Sequence, residues 1–161
     1  MGAGKTTVMG EASDLLSDRG IVHAAFDLDA IGVVLLPEPR SRELHYRNVT
    51  TIYNNCVEAG VDFFLIATAI ESREVLSDLT HAMGNANVAV CRLISPLATM
   101  TARLQTREVG SRRQDYFDRS RVLDGILDAS GVEDFRITND GQSVTEVAQE
   151  MLLRAKWIKV S

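Results

Sequence analysis

Short apolar segments alternate with longer amphipathic segments along the chain, and this alternation limits the fold more than any other feature. Four mostly apolar segments are predicted to be buried strands: residues 21–29, 61–70, 87–95 and 134–138. The segments between and after them carry apolar residues at helical spacing. Strands that alternate with helices form a parallel sheet covered on both faces. The sequence therefore predicts an α/β protein built as a three-layer sandwich around a parallel sheet.

Glycine, proline and serine residues mark the expected helix boundaries. Gly20 and Gly60 lie where a helix C-cap is expected, and Pro96 can open a helix because its missing N–H costs little there. Ser143 and Glu146 have the spacing of a capping box at the start of the last helix.

Length and composition predict a single globular domain over residues 1–161, with 45% hydrophobic and 24% charged residues. No apolar segment approaches the roughly 20 residues of a membrane span, so no membrane partner is expected. The net charge is −5 and no basic cluster stands out, which argues against a nucleic-acid partner.

The two cysteines, Cys56 and Cys91, lack the spacing of a metal site, and the three histidines are scattered. We expect two buried thiols in a reducing compartment, which favours a cytoplasmic protein.

The chain opens with the sequence MGAGKTTV, which matches the end of a phosphate-binding loop. Gly4, Lys5 and Thr6 fit the last residues of the pattern G-x-x-x-x-G-K-[ST]. The first glycine of that pattern would lie two positions before Met1, together with the strand that feeds the loop. That strand is normally central, so we expect the first, central strand of the sheet to be missing from this chain. A late-started reading frame or a fragment is favoured, and the alternative is a genuine Met1 in a degenerate domain.

The residue types in the remaining loop are those that bind nucleotide phosphates. Backbone N–H groups would form a cup for phosphate oxygens, and the helix that follows adds its positive end. Lys5 would bridge the β- and γ-phosphates of ATP, the Thr6 hydroxyl would ligate Mg²⁺, and Thr7 would donate to the α-phosphate. The alternative is a glycine-rich helix start without a ligand. The expected cofactor-binding residues here are Gly2, Ala3, Gly4, Lys5, Thr6 and Thr7.

Two acids, Asp27 and Asp29, stand two residues apart at the expected carboxyl end of the strand 21–29. On a strand, that spacing places both on one face, at the edge where open α/β sheets bind ligands. A carboxylate there can hold Mg²⁺ and accept a proton from a substrate hydroxyl. The alternative is a solvated strand end with a helix N-cap. The strand 61–70 has no acid before Glu71, so the usual second metal-binding acid is missing.

These motifs resemble the small P-loop kinases of the adenylylsulfate kinase, gluconate kinase and shikimate kinase kind. The resemblance implies that Asp27 and Asp29 serve Mg²⁺ and the acceptor, with Asp29 as the main contact. The segment RELHYRNVTTIYNNCVEAG is similar to a helix of adenylylsulfate kinases, which would place Arg47 and Asn48 near the acceptor. The segments LLPEPRS and ATAIESRE depart from that family's substrate loops.

The segment TARLQTREVGSRRQ is rich in arginine. Arg103 and Arg107 share one helix face. In small kinases, arginines of this region close over ATP and stabilise charge on the transferred group. We expect a lid over about residues 107–114, with Arg107 as a catalytic residue and Arg103 and Arg112 as cofactor-binding residues. The alternative is an ordinary solvated helix face.

The turn before the last helix resembles the adenine border of these kinases, with Thr138, Asp140 and Gln142 as candidates. The alternative is a generic helix start.

Together these features predict an ATP-dependent phosphotransferase that moves the γ-phosphoryl group of MgATP to a hydroxyl of a small-molecule acceptor. Its expected catalytic residues are Lys5, Asp29 and Arg107. The alternative is a nucleotide-binding module or degenerate ATPase without transfer activity, and such a chain would also fit the broad description of an AAA-type ATPase. Trp157 is expected to anchor the core or an interface, which leaves a homodimer open.

Overall fold

The computed structural model describes residues 2–31, 36–107 and 113–159. The elements are, in chain order, α1 (Lys5–Ser17), β1 (His23–Asp27), a short 3-10 helix (Leu28–Ala30), α2 (Arg40–Glu58), β2 (Phe63–Ala67), α3 (Arg73–Ala82), β3 (Cys91–Ile94), α4 (Leu97–Arg107), α5 (Arg113–Ser130), β4 (Phe135–Thr138) and α6 (Val144–Arg154). The predicted α/β class is confirmed, and each predicted strand is present in shortened form.

The chain divides into two compact units, one from Met1–Val8 and Ala89–Ser161 and the other from Met9–Val88. The expectation of a single domain stays a prediction. No helix in the described residues is long and apolar enough to cross a bilayer.

In the unit Met9–Val88, β1 and β2 pair in parallel, from His23 opposite Phe63 to Asp27 opposite Ala67. Helices α2 and α3 pack on each other. The buried residues of its core are Leu28, Val49, Leu79, Ala82 and Met83, with partly buried aromatic rings against them. The apolar strands and the apolar helix faces therefore meet in one core, as their spacing predicts.

A hydrogen-bonded histidine links α1 to the start of β1 in the same unit. The His23 Nδ1 atom lies 2.8 Å from the Ile21 carbonyl oxygen, and Nε2 lies 2.7 Å from Ser13 Oγ. Because a carbonyl oxygen only accepts, Nδ1 donates to Ile21, and Nε2 shares the second hydrogen bond with the serine hydroxyl. His23 therefore has a structural role.

In the other unit, β3 and β4 pair in parallel from Cys91 opposite Phe135 to Ile94 opposite Thr138. Helix α6 packs on β4 and buries Val147, Ala148 and Leu152. Its predicted capping box is confirmed, since Ser143 and Glu146 each bond the other's backbone amide. Burial raises the pKa of the Cys91 thiol to about 12, so this cysteine stays protonated.

The described strands thus form two parallel pairs, β1–β2 and β3–β4. No strand precedes α1 within residues 2–31. The short sheets are consistent with the expected missing first strand, and the truncation itself stays a prediction.

A buried arginine connects β3 to α5. The Arg92 side chain is only 8% exposed and donates to Asp128 at 2.6 Å and to Asp124 at 2.9 Å. The hydrogen bond from Arg92 holds the pKa of Asp128 below its ordinary value of 3.8. The pKa of Glu133 is also held below its ordinary value of 4.5, first by a hydrogen bond from the backbone amide of Glu133 itself and then by one from Arg136. This network stabilises the folded protein most when its carboxylates are ionised.

We predict that acid weakens the fold through this network. Because both folded-state pKa values are lowered, the carboxylates stabilise fully above about pH 5, and the contribution is lost as pH falls through those folded-state values. Replacing Arg92 with methionine removes the main cause of the shift at Asp128. The melting temperature should therefore fall less steeply between about pH 5 and about pH 3 in Arg92→Met than in the wild type.

The matched control is Arg42→Met, because Arg42 pairs with Glu74 where both side chains are exposed, by 54% and 72%. This pair should contribute little, so the control should follow the wild-type pH profile. Identical slopes for all three proteins would contradict the assigned role of Arg92.

Candidate nucleotide-binding site

The glycine loop before α1 has left-handed backbone at both of its glycines. The φ angles are +73° at Gly2 and +88° at Gly4, whereas Ala3 has no positive φ. Such alternation turns successive N–H groups toward one side of the chain. The N–H of Val8 donates to the Gly4 carbonyl at 2.9 Å and begins the hydrogen-bond ladder of α1. The loop and the positive end of the helix therefore meet at Lys5, as the sequence predicts.

Asn139, the residue after β4, holds the loop in place. Its Nδ2 atom donates to the Ala3 carbonyl at 2.6 Å, and its own N–H donates to the Ile94 carbonyl at 2.7 Å. A Cβ atom added at Gly4 would lie 2.4 Å from Asn139 Nδ2. Position 4 therefore favours glycine, both for its backbone conformation and for its closeness to Asn139.

Arg103 of α4 ties the loop to the ends of both strands in this unit. Its guanidinium donates to Ser95 Oγ at 3.2 Å, to the Asn139 carbonyl at 3.1 Å and, more weakly, to the Gly2 carbonyl at 3.5 Å. Ser95, which follows β3, also donates to the Asn139 carbonyl at 2.9 Å. The loop is therefore fixed at the carboxyl ends of β3 and β4, the edge where α/β sheets bind ligands.

The three candidate adenine residues are exposed and lie within three residues of Asn139 in the sequence. Asp140 accepts from Thr99 of α4 at 2.9 Å, and the Gln142 amide donates to the Thr138 carbonyl at 3.3 Å. The structure thus brings Thr138, Asp140 and Gln142 into the same unit as the loop. Their contact with adenine stays a prediction.

Sequence reasoning missed Ser95 and Asn139, the two buried polar residues of this region, which are 7% and 6% exposed. One signal was available. Each is a small polar residue directly after an apolar strand, in the sequences RLIS and RITN. At that place, a buried polar side chain needs a hydrogen-bonding partner, and here the partners are the glycine loop and Arg103.

The acid pair belongs to the unit Met9–Val88, and its geometry corrects one expectation. Asp27 is the last residue of β1, but Asp29 lies in the 3-10 helix, so the two do not share a strand face. The Asp27 carboxylate accepts from the Asp29 N–H at 3.0 Å and caps the 3-10 helix, as the alternative interpretation held. Asp29 is exposed just past the strand end.

The candidate acceptor residues lie on α2, in the same unit as the acids. Arg47 is exposed and Asn48 is half-buried. Arg107 is the last residue of α4, and its side chain lies outside the described part of the chain. Arg112 and most of the expected lid also lie outside the described residues. The roles of these residues stay predictions.

Oxygen donors suited to Mg²⁺ are present at the predicted positions. Within the described ranges, no three or more His, Cys, Asp or Glu side chains cluster as a metal site. Mg²⁺ bound with a nucleotide commonly takes one or two protein oxygens besides phosphates and water. The Thr6 hydroxyl and the Asp29 carboxylate each offer such an oxygen, and their role as Mg²⁺ ligands stays a prediction.

We predict that Gly4→Ala lowers the free energy of unfolding by about 1–3 kcal/mol, because the backbone conformation is strained for any residue with a Cβ atom. The new methyl group would also push Asn139 Nδ2 away from the Ala3 carbonyl. Urea denaturation followed by circular dichroism measures the change.

Gly10→Ala is the matched control. Gly10 lies inside α1, and nothing lies within 4 Å of an added Cβ atom. This change should be neutral or stabilise by about 0.5–1 kcal/mol. Equal effects of the two substitutions would show that the loop does not require glycine at position 4.

No protein-family model matches the chain, and no curated protein matches it by sequence. Solved structures match it along almost its whole length. An unliganded sugar kinase from Janibacter sp. HTCC2649 matches with a TM-score of 0.64 and 18% identity, over 97% of this chain and 90% of that one. The APS kinase of Mycobacterium tuberculosis, in complex with AMPPNP and APS, matches with a TM-score of 0.62 and 17% identity, over 96% of this chain and 92% of that one.

A third match is the shikimate kinase of Acinetobacter baumannii in complex with shikimate. The TM-score is 0.57 at 20% identity, over 100% of this chain and 91% of that one. All three are P-loop kinases, and their likeness to this chain lies in the fold. The chain therefore has the fold of the small P-loop kinases.

Proposed function

We propose that the protein is an ATP-dependent phosphotransferase that moves the γ-phosphoryl group of MgATP to a hydroxyl of a small-molecule acceptor. The observation that carries this proposal is the glycine loop at Gly2–Gly4, fixed at the carboxyl ends of β3 and β4 and leading into α1 at Lys5. The fold supports it, because the matching structures include kinases of small molecules.

In this proposal the loop and the first turn of α1 hold the triphosphate. Backbone amides from Gly2 to Thr7 donate to phosphate oxygens, and Lys5 places its charge between the β- and γ-phosphates. The Thr6 hydroxyl and the Asp29 carboxylate are oxygen donors for Mg²⁺, which neutralises phosphate charge when it is bound. Arg103, Thr138, Asp140 and Gln142 border the nucleotide.

The acids at the end of β1 divide their roles in this proposal. The Asp27 carboxylate is engaged in capping the 3-10 helix, whereas Asp29 is exposed. Asp29 is therefore the better candidate to accept the proton of the acceptor hydroxyl, and Asp27 to orient it. Arg47 and Asn48 contact the acceptor, and Arg107 and Arg112 neutralise charge that develops on the transferred group.

A second candidate function is a nucleotide-binding module without transfer chemistry. One observation favours it. β2 ends at Ala67, and the residues that follow it carry no acid before Glu71, so the usual metal-binding acid at the end of this strand is missing. A module of this kind would bind MgATP through the loop and release no ADP.

We predict that Lys5→Met reduces acceptor-dependent ADP release by at least about a hundredfold, because Lys5 would stabilise charge on the transferred phosphoryl group. A coupled assay over a panel of hydroxyl acceptors, including sugars, shikimate and APS, measures the rate. Lys159→Met removes the same charge from the segment after α6 and should leave the rate unchanged. If the wild type releases no ADP in response to any of these acceptors, the result would argue against kinase activity.

The substitution Asp29→Asn separates the two functions. In a kinase, it should slow ADP release by about 10²–10⁴-fold, because the general base is lost, while MgATP binding weakens only modestly. In a module, MgATP binding persists and neither protein turns over. Calorimetric titration with MgATP, run beside the coupled assay, distinguishes these results.

A further inference from the structure

We infer that Asn139 is a positioning residue for the phosphate loop. Its carboxamide fixes the direction of the loop peptides and so presents their N–H groups to a phosphate, without touching the ligand itself. The identity of the ligand as a nucleotide phosphate rests on the proposed function, whereas the effect of Asn139 on the loop does not.

The backbone of Asn139 is fixed before its side chain reaches the loop. Its N–H donates to the Ile94 carbonyl at 2.7 Å, which continues the pairing of β3 and β4 by one residue. Its carbonyl accepts from Ser95 Oγ at 2.9 Å and from Arg103 Nη2 at 3.1 Å. With 6% exposure, Asn139 is held by a strand on one side and by α4 on the other. The backbone position from which its carboxamide extends is therefore fixed.

The side chain then sets the orientation of one loop peptide. Because the Ala3 carbonyl can only accept, the amide nitrogen of Asn139 must face it, at 2.6 Å. A trans peptide unit is planar, with its C=O and N–H on opposite sides. Fixing the Ala3 carbonyl toward Asn139 therefore turns the N–H of Gly4 away from Asn139, where a ligand can accept from it.

Arg103 acts in the same way on the preceding peptide, although more weakly. Its Nη1 atom lies 3.5 Å from the Gly2 carbonyl, which turns the N–H of Ala3 away from the guanidinium. Two neighbouring carbonyls thus face protein donors, and the two N–H groups that belong to the same peptides lie on the other side. This arrangement is the one required of an amide cup for phosphate oxygens.

The close approach of Asn139 to Gly4 supports the same role. The amide nitrogen lies 2.4 Å from the place of a Cβ atom at Gly4, so this side chain and the glycine backbone are fitted to each other. A residue that served only the turn after β4 would not need to reach a segment 136 residues away in the sequence.

The test compares Asn139→Ala, Asn139→Asp and the control Asn87→Ala, which makes the same change at an exposed residue before β3. Calorimetric titration gives the dissociation constant of MgATP. Asn139→Ala should weaken binding about tenfold, the effect of one lost hydrogen bond, and Asn87→Ala should not change it.

In Asn139→Asp, a carboxylate faces the Ala3 carbonyl and repels it at neutral pH. Protonation restores a donor, so the weakening relative to wild type should shrink as pH is lowered.

A second measurement needs no nucleotide. The amide of Val8 donates to the Gly4 carbonyl at 2.9 Å, and the amide of Val147 makes the equivalent first bond of α6, to the Ser143 carbonyl at 3.2 Å. Asn139→Ala should speed hydrogen exchange at Val8 by severalfold and leave Val147 unchanged. Unchanged exchange at Val8, or an equal rise at both amides, would overturn the inference.

The two measurements separate this inference from the proposed function. If the wild type binds no MgATP but Val8 exchanges faster in Asn139→Ala, the proposed function fails and the positioning role stands. If the wild type binds MgATP, and Asn139→Ala binds it equally well with unchanged exchange at Val8, the positioning role fails and the proposed function stands.

Discussion

The hydrogen bond from Asn139 to the Ala3 carbonyl is the contact on which the candidate site depends. It joins a loop at one end of the chain to the carboxyl end of β4, and it spans 136 residues of sequence. A glycine-rich loop has many conformations, and ordering it costs about 1–2 kcal/mol per residue. The contacts from Asn139 and Arg103 offset part of that cost. The first turn of α1 is thereby presented in one geometry, which an anion site requires.

The polar residues that follow the strands have different tasks. Ser95 and Asn139 are buried, and they use their hydrogen bonds to hold the backbone. Asp27 uses its carboxylate to cap a short helix, and Asp29 is left exposed. A residue type at the end of a strand therefore does not reveal its role. Its burial and its partners decide whether it supports the site or can meet a ligand.

Much of the fold and part of the site could be predicted from the sequence. The capping box at Ser143 and Glu146 is confirmed, since it lies within one helical turn. The predicted shared strand face of Asp27 and Asp29 was wrong, because β1 ends where its pairing with β2 ends, at Asp27 opposite Ala67. Once that pairing stops, a 3-10 turn capped by Asp27 satisfies the backbone amides. Strand ends depend on the partner strand, which the local pattern does not contain.

The sequence by itself determined the order of helices and strands and the glycine loop that leads into α1, because apolar periodicity, caps and glycines act over a few residues. Only the tertiary structure decided which strands pair. It also decided that Asn139 bonds the Ala3 carbonyl and that Arg103 bonds residues at the ends of two strands. The ion pairs of Arg92 on β3 with carboxylates of α5 likewise form only in the folded chain. These contacts join residues that are distant in sequence. Their energies depend on burial and on distances of about 3 Å, which exist only after the chain has packed.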